Sequence, residues 1–323
     1  MKEFTIGIND AGQRLDRFLA KAVPTLPASL AQKYIRIKRV KVGDRGADRG
    51  YKLVVGDTVQ MYINDEFFEN PRIKNTFLEN TDPALDIIYE DSNIMLIDKK
   101  EGILSHSNGL YDYSSAIVRI QAYLSQKGQW RPGDENSFAP ALCNRIDRNT
   151  SGIVIAAKNA ESLRIINEKL KTREIGKYYL AITLGAPHQE CGILESYIFK
   201  DSTKNRVYVS TNGCPGAKPA AMKYRTIATE GRLSLLECCL ITGRTHQIRA
   251  QLASIGCPLL GDGKYGNDRQ NKPYGESHQA LCSYKLVFEF ITDAGMLTYL
   301  GGNTYQIHNI PFVKKYFPDI DFI

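Results

Sequence analysis

An α+β protein of two domains is predicted by three observations. The chain has 323 residues, more than a typical single domain holds. Its charge is uneven: residues 1–64 carry twelve Lys/Arg and six Asp/Glu, a net of +6 out of +7 for the whole chain. Such an excess in one fifth of the sequence points to a module that binds a polyanion. Stretches with helical apolar spacing also alternate with short apolar runs of strand length along the whole sequence.

The first helix is predicted over 12–22, where Leu15, Phe18, Leu19 and Ala22 fall on one face. Pro24 and Pro27 end it, and Ser29 with Gln32 forms a capping-box pattern for a second helix. On that helix Leu30, Ala31, Tyr34 and Ile37 share an apolar arc, and Lys33, Arg36 and Arg39 share a basic one. A charged arc is ordinarily a solvated face; here it also stands free to meet phosphates. Val40–Val42 alternates like a short strand, 43–50 reads as a turn, and 54–59 as part of a hairpin. Residues 65–84, with Pro71 and Pro83 among acidic and amide residues, read as a linker.

Beyond the linker, two apolar runs around Asp91-Ser92-Asn93 predict a hairpin over 87–99. A helix follows at 114–125, then a polar loop at 127–136. Ile153–Ala157 has the composition of a buried strand, 162–172 that of a helix with Leu163, Ile166 and Leu170 inward, and 178–185 that of a strand. Lys169, Lys171, Arg173 and Lys177 form a basic cluster between the last two. Strand-like pieces at 193–199 and 206–209 precede a long apolar strand at 233–241, which leads into a helix through Leu252 and Ile255.

Composition excludes several classes. No apolar run approaches the roughly 18 residues that span a bilayer, and Met1-Lys2-Glu3-Phe4 lacks a signal-type apolar region, so export is not expected. The seven cysteines form no Cys-x-x-Cys pair and the five histidines show no ligand spacing, so no metal is expected and the thiols read as small hydrophobes in a reducing cytoplasm. No Gly-x-Ser-x-Gly elbow supports a hydrolase built on His246.

The densest chemistry lies at Asn144-Arg145-Ile146-Asp147-Arg148-Asn149-Thr150-Ser151-Gly152, a carboxylate among guanidiniums at the entrance of a strand. Opposite charge favours the ionised carboxylate, yet charge spacing alone equally describes a surface turn. This stretch resembles the His-Arg-Leu-Asp-Arg-x-Thr-Ser-Gly signature of RluA-type RNA pseudouridine synthases, with Asn144 for the usual His and Ile146 for Leu. Gly243-Arg244-Thr245-His246-Gln247-Ile248-Arg249 and Gly256-Cys257-Pro258-Leu259-Leu260-Gly261-Asp262 resemble two further blocks of that family nearly letter for letter. His278-Gln279-Ala280-Leu281 resembles its closing strand, with Cys282 in the last place. Asp98-Lys99-Lys100-Glu101-Gly102 matches its Asn-Lys-Pro-x-Gly turn without the proline. The N-terminal order of helix, basic helix, short strands and Gly-Asp-Thr-Val resembles the alpha-L RNA-binding module, with Val42-Gly43-Asp44 replacing its Val-Asn-Gly turn.

The resemblance implies an α+β pseudouridine-synthase domain at 85–323 on a mixed, mostly antiparallel sheet, preceded by an alpha-L module at 1–64 and the linker at 65–84. It implies an isomerase that needs no cofactor. Asp147 takes the position of the catalytic carboxylate, Arg249 that of its arginine partner, and Tyr179 that of the aromatic stacked on the target uracil, with Tyr178 as the alternative on the opposite strand face. Asn144, Arg145, Arg148, Thr150 and Ile248 take substrate-binding positions, beside the phosphate contacts of Lys33, Arg36 and Arg39. Arg244, Thr245 and His246 read as scaffold first and phosphate contacts second. The family leaves open whether the aspartate attacks base or ribose or assists elimination to a glycal. Large-subunit ribosomal RNA is its commonest substrate, and transfer RNA modifiers share the motifs. The expected protein is cytoplasmic and monomeric. The rival is a non-catalytic RNA-binding or ribosome-associated protein of the same fold, for which Asn144 leaves room.

Overall fold

The computed structural model describes residues 1–68, 78, 80–107 and 114–320. Pro71 of the predicted linker lies outside them.

The N-terminal segment makes a four-stranded sheet of order β1-β4-β2-β3, from β1 (Lys2–Thr5), β2 (Val40–Val42), β3 (Arg45–Gly46) and β4 (Thr58–Met61). It packs against α1 (Leu15–Ala22) and α2 (Ala28–Arg36) around Phe4, Leu15, Phe18, Leu19, Val40, Val59 and Met61. Three local expectations change. The capping box does not form: Pro27, extended at ψ 139, takes the cap position, so α2 starts two residues earlier and Ser29 falls inside it. Ile35 replaces Ile37 on the buried face, because Ile37 is already past the helix end and exposed. Residues 54–57 form a turn closed by the Asp57 side chain on Val54 N–H at 3.0 Å, so the strand begins only at Thr58 and Val54 and Val55 face solvent. Lys33, Arg36 and Arg39 are all exposed.

The larger body is a sheet of eleven strands among the described residues. These are β5 (Ile87–Glu90), β6 (Ile94–Lys99), β7 (Ala141–Leu142), β8 (Ser151–Ala157), β9 (Ile175–Leu184), β10 (Cys191–Asp201), β11 (Arg206–Ser210), β12 (Lys218–Glu230), β13 (Leu233–Leu240), β14 (Leu281–Phe288) and β15 (Thr304–Gln306). The main order is β11-β10-β12-β13-β9-β14-β8-β6-β5, with β7 on β8 and β15 on β14. Among the described strands, β8 and β14 are the parallel neighbours and every other pairing is antiparallel. The sheet is therefore mixed and mostly antiparallel.

Both faces of the central strands are apolar, as a sheet covered on both sides requires. One face, with Met95, Val154, Ala181, Leu236 and Leu281, packs α3 (Ala116–Gln126) and α5 (Gln247–Ser254) through Ile120 and Leu252. On the other face, α4 (Ala160–Lys171) contributes Ile166 against Ile153 and Ile155. After the short α6 (Asp268–Asn271), α7 (Pro311–Tyr316) sets Val313 against Ile182 and Leu235 on that second face. The basic cluster before β9 is not a surface cluster throughout. Lys169 is buried on a carboxylate oxygen of Glu174 at 2.8 Å, while Lys171 and Arg173 stay exposed.

The two sheets are tied together by polar contacts. Asn136 donates to Thr5 O and to Asp10, each at 2.8 Å, Ser137 donates to Asp10 at 2.6 Å, and Ala160 N–H donates to the Asn9 side chain at 3.0 Å. Among the described residues no helix is long and apolar enough to cross a membrane.

Candidate active site

Asp147 stands on the loop between β7 and β8, above the parallel junction of β8 with β14. That junction requires a glycine. Gly152 sits at φ 116 against Ser283, and a Cβ there would come within 2.3 Å of the Ser283 carbonyl oxygen. The loop is pinned on several sides. Ser105 Oγ accepts Ile146 N–H at 3.2 Å and donates to Ile146 O at 2.9 Å. Asn144 Oδ1 accepts Ile155 N–H at 2.8 Å, and Lys99 Nζ donates to Arg148 O at 3.1 Å. The turn itself closes through Thr150 N–H on Asp147 O at 3.1 Å.

Lys99 is buried, and its ammonium also reaches Lys100 O at 2.9 Å and Ile103 O at 2.8 Å. Its three donors thus meet three carbonyls. Burial pulls its pKa down to about 8, against the pull of Asp147 and other nearby carboxylates.

The other wall is the start of α5. Gln247 clamps the turn before it, donating to Ala221 O at 3.0 Å while its Oε1 accepts Thr242 Oγ1 at 2.8 Å and Arg244 N–H at 3.0 Å. This clamp leaves His246, the residue before the helix, at φ 52, a left-handed conformation that a non-glycine residue adopts only under constraint. Arg249, one turn on, is buried with its guanidinium between two carboxylates. Nη1 donates to Asp147 Oδ2 at 3.0 Å; Nε and Nη2 donate to Asp262 Oδ2 and Oδ1 at 2.7 and 2.9 Å.

The two-pronged contact expected for Asp147 therefore belongs to Asp262. That carboxylate is fully buried and also accepts Lys264 N–H at 2.9 Å and Tyr265 N–H at 3.1 Å. Burial would raise its pKa, but the guanidinium and the two backbone donors outweigh that and hold it below the ordinary range. Burial likewise opposes the charge on Arg249, yet Asp262 and Asp147 together raise its pKa. Gly261, at φ 75, lets this loop pass against the backbone of His278, where a Cβ would sit 2.1 Å from the carbonyl oxygen.

Asp147 meets Arg249 through Oδ2, and Oδ1 has no hydrogen-bond partner among the described residues. The side chain keeps 25% of its surface exposed. A partly exposed carboxylate oriented through one oxygen can deliver the other to a bound group.

The remaining expected residues divide into those that face solvent and those that hold the loop. Arg145 and Arg148 are exposed, with Arg148 Nε donating to Gly102 O at 3.0 Å. Asn144 turns its carbonyl into the protein, as described. Thr150 is buried, and its Oγ1 accepts Gln279 Nε2 at 3.2 Å, so it holds the loop from behind and does not face a ligand. Tyr179 and Ile248 are buried in one apolar cluster with Ile146, the residue before Asp147. Burial pushes the Tyr179 hydroxyl up to about 12, so it stays protonated. Tyr178, on the opposite strand face, lies under the Lys285 ammonium at 4.4 Å. Lys33 and Arg36 lie on α2 and Arg39 just beyond it, and none is part of this cluster. Arg244 donates to Pro219 O at 3.0 Å. Lys99, Ser105 and Asp262 were not singled out from sequence. The signal for Asp262 in the sequence is its place at the end of the 256–262 block.

Residues 93–254 match the family model described as RNA pseudouridylate synthase. The chain is 31% identical over 294 residues to an uncharacterised RNA pseudouridine synthase of Mycoplasma genitalium, covering 88% of each. It is 31% identical to ribosomal large subunit pseudouridine synthase C of Vibrio vulnificus, over 83% of this chain and 81% of that one. It is 32% identical to ribosomal large subunit pseudouridine synthase D of Borreliella burgdorferi, over 88% of this chain and 84% of that one. In fold it resembles human RNA pseudouridylate synthase domain containing 4, with a TM-score of 0.53 and 19% identity over 74% of this chain and 92% of that chain. The chain belongs to the RNA pseudouridylate synthase family, isomerases that convert uridine to pseudouridine in RNA.

Proposed function

We propose that the enzyme modifies large-subunit ribosomal RNA and that Asp147 is its catalytic carboxylate. The isomerisation breaks a carbon–nitrogen glycosidic bond, turns the base and forms a carbon–carbon bond at the same ribose carbon. It needs one well-placed carboxylate and an oriented pocket, with no redox step. The observation that carries this reading is Asp147 Oδ1, which has no hydrogen-bond partner among the described residues and is set by Arg249 on Oδ2 at 3.0 Å. Arg249 pairs with the carboxylate and aims it, and Ile248 lines the pocket. Tyr179 supplies the ring on which the flipped uracil stacks. Unstacking a base costs a few kcal/mol, and an aromatic platform returns about 1–3 kcal/mol.

Arg145 and Arg148 then meet the RNA beside the target, while Asn144 and Thr150 position the loop. Residues 1–64 act as an alpha-L-type RNA-binding module, with Lys33, Arg36 and Arg39 on phosphates, joined through 65–84 to a catalytic domain at 85–323. Support comes from its own apolar core and from the charge of +6 over those residues. The ribosomal substrate rests on relatives named for the large subunit. We place the enzyme in the cytoplasm as a monomer.

The test is to incubate the purified protein, without cofactor, with large-subunit ribosomal RNA and with transfer RNA, and to map pseudouridine in each. Modification of ribosomal RNA that disappears with Asp147→Asn is expected. Modification confined to transfer RNA overturns the substrate assignment.

A further inference from the structure

One group next to Asp147 has no part in the reaction outlined above. His246 places Nε2 at 3.8 Å from Asp147 Oδ2, beyond hydrogen-bond reach but within a small movement of it. Its other ring nitrogen, Nδ1, is 2.9 Å from the hydroxyl of Tyr265. That hydroxyl also accepts Val207 N–H, at 2.9 Å, from the start of β11.

These contacts constrain the protons. A tyrosine hydroxyl has one proton to give. If Nδ1 of His246 carried a proton, the Tyr265 oxygen would accept from both sides, and its own proton would have no acceptor among the described residues. If Nδ1 is bare, the Tyr265 hydroxyl is fully paired: Val207 N–H gives to Tyr265, Tyr265 gives to Nδ1, and the imidazole proton sits on Nε2, 3.8 Å from Asp147. The ring cannot easily turn away. Its backbone is held in the left-handed region by the Gln247 clamp. Tyr265 is itself wedged between the guanidiniums of Arg206 and Arg249, each 5.2 Å from its ring centre.

We propose that Tyr265 is a positioning residue that holds His246 as its Nε2–H tautomer, so that this proton closes onto Asp147 Oδ2 when RNA binds and leaves Oδ1 as the reacting oxygen. The proposal rests on Asp147 as the catalytic carboxylate. Arg249 already occupies Oδ2, so a second donor on the same atom sharpens the difference between the two oxygens. The groups facing His246 are Asp147, Arg249, Asp262, Lys264 and Tyr265. Burial, with the cations Arg249 and Lys264, lowers the imidazole pKa against the pull of Asp147, so the ring is neutral at physiological pH. The positive charge paired directly with Asp147 is then that of Arg249, and the histidine contributes direction.

The experiment is a nitrogen-15 spectrum of histidine-labelled protein at about pH 8, where imidazoles are neutral, with His246 assigned by its disappearance in His246→Gln. The expected spectrum shows a bare Nδ1 and a protonated Nε2, and Tyr265→Phe converts it to a mixture of tautomers. A single Nδ1–H form in the unsubstituted protein overturns the proposal. This readout does not depend on which residue does the chemistry, so it separates from a failure of the Asp147 assignment. In kinetics, Tyr265→Phe should lower kcat about tenfold, the effect of releasing one orienting hydrogen bond, with KM for RNA unchanged. His246→Gln, whose amide nitrogen reaches the Nε2 position, should retain more turnover than His246→Asn, whose amide reaches only the Nδ1 position. Unchanged kcat in Tyr265→Phe, or the reverse order of the two amide variants, overturns it equally.

Discussion

Arg249 grips Asp262 with two nitrogens, Nε to Oδ2 at 2.7 Å and Nη2 to Oδ1 at 2.9 Å, and so arrives at the active site already neutralised and immobile. A fork-on-fork contact of this kind fixes the plane of the guanidinium as well as its position. The third nitrogen is then aimed at Asp147 without any freedom of its own.

Removing one partner of a buried pair leaves a charge without compensation, a loss of about 3–5 kcal/mol. Asp262→Asn should therefore destabilise the fold by about that much and release Arg249 from its aim, lowering turnover as well. Arg249→Lys should recover little, because a single ammonium cannot meet two carboxylates in the geometry of a planar fork. Urea denaturation with a turnover assay checks both. An Asp262→Asn protein of ordinary stability would mean that the pair is replaceable by amide hydrogen bonds.

Asp147→Asn should behave in the opposite way. Its side chain is partly exposed and singly bonded, so the amide fits and the fold changes little. Pseudouridine formation in a tritium-release assay should vanish while RNA binding persists. Substantial residual turnover would remove Asp147 from its assigned role.

The contrast between these carboxylates shows what was legible in the sequence. The hairpin at 87–99 and the buried strand after Gly152 rest on local apolar patterning and the helix from Gln247 on the family motif, and all three stand where those signals put them. The pairing of β8 with β14 joins residues about 130 apart, and no local pattern encodes it. Asp262 was visible as a letter in a motif, but its contact with Arg249 depends on how the loop after α5 turns at Gly261. Lys99 sits in an Asp-Lys-Lys-Glu run whose charge gives no sign of burial, yet it is among the most deeply buried side chains. Ser29 failed in the other direction: a valid capping pattern lost to a proline two residues earlier.

Lys99 yields a prediction with a pH sign. Its ammonium joins the carbonyls of Lys100, Ile103 and Arg148, so it couples the turn after β6 to the loop that carries Asp147. Lys99→Met keeps the length and strands three acceptors. A loss of about 2–4 kcal/mol is expected from unsatisfied buried groups, with lower kcat and an unchanged RNA dissociation constant. In the native state this lysine gives up its proton near pH 8, below the 10.5 of an unfolded lysine. The unfolded chain therefore binds more protons between those values, and the contribution of this group to stability rises as pH climbs through that window. The penalty for burying the charge is present in full below pH 8 and is relieved above it. Denaturation at about pH 7.5 and 9.5 should show the unsubstituted protein gaining stability relative to Lys99→Met. A constant difference across that range would mean that the three carbonyls keep the ammonium charged throughout.

The N-terminal sheet offers a test that leaves the fold alone. Deleting residues 1–64 would strip Asp10 and Asn9 from their partners Asn136, Ser137 and Ala160, and would disturb the catalytic body along with the RNA contacts. Replacing Lys33, Arg36 and Arg39 by Gln avoids this, because all three side chains are exposed. Lys33 and Arg36 line an open groove of about 560 Å³ that also takes in Lys38 and Arg49, while the Arg39 guanidinium lies over the Tyr34 ring at 5.9 Å. Each cation that displaces a counterion from RNA steepens the log–log dependence of affinity on salt by roughly 0.7–0.9. If all three reach phosphates, the triple variant should flatten that slope by about 2–3 and weaken binding most at low salt. Turnover at saturating RNA should hold, since none of the three is near Asp147. A parallel loss of affinity at every salt concentration, with the slope intact, would mean that these residues read RNA through hydrogen bonds or shape and that their charge is merely solvated.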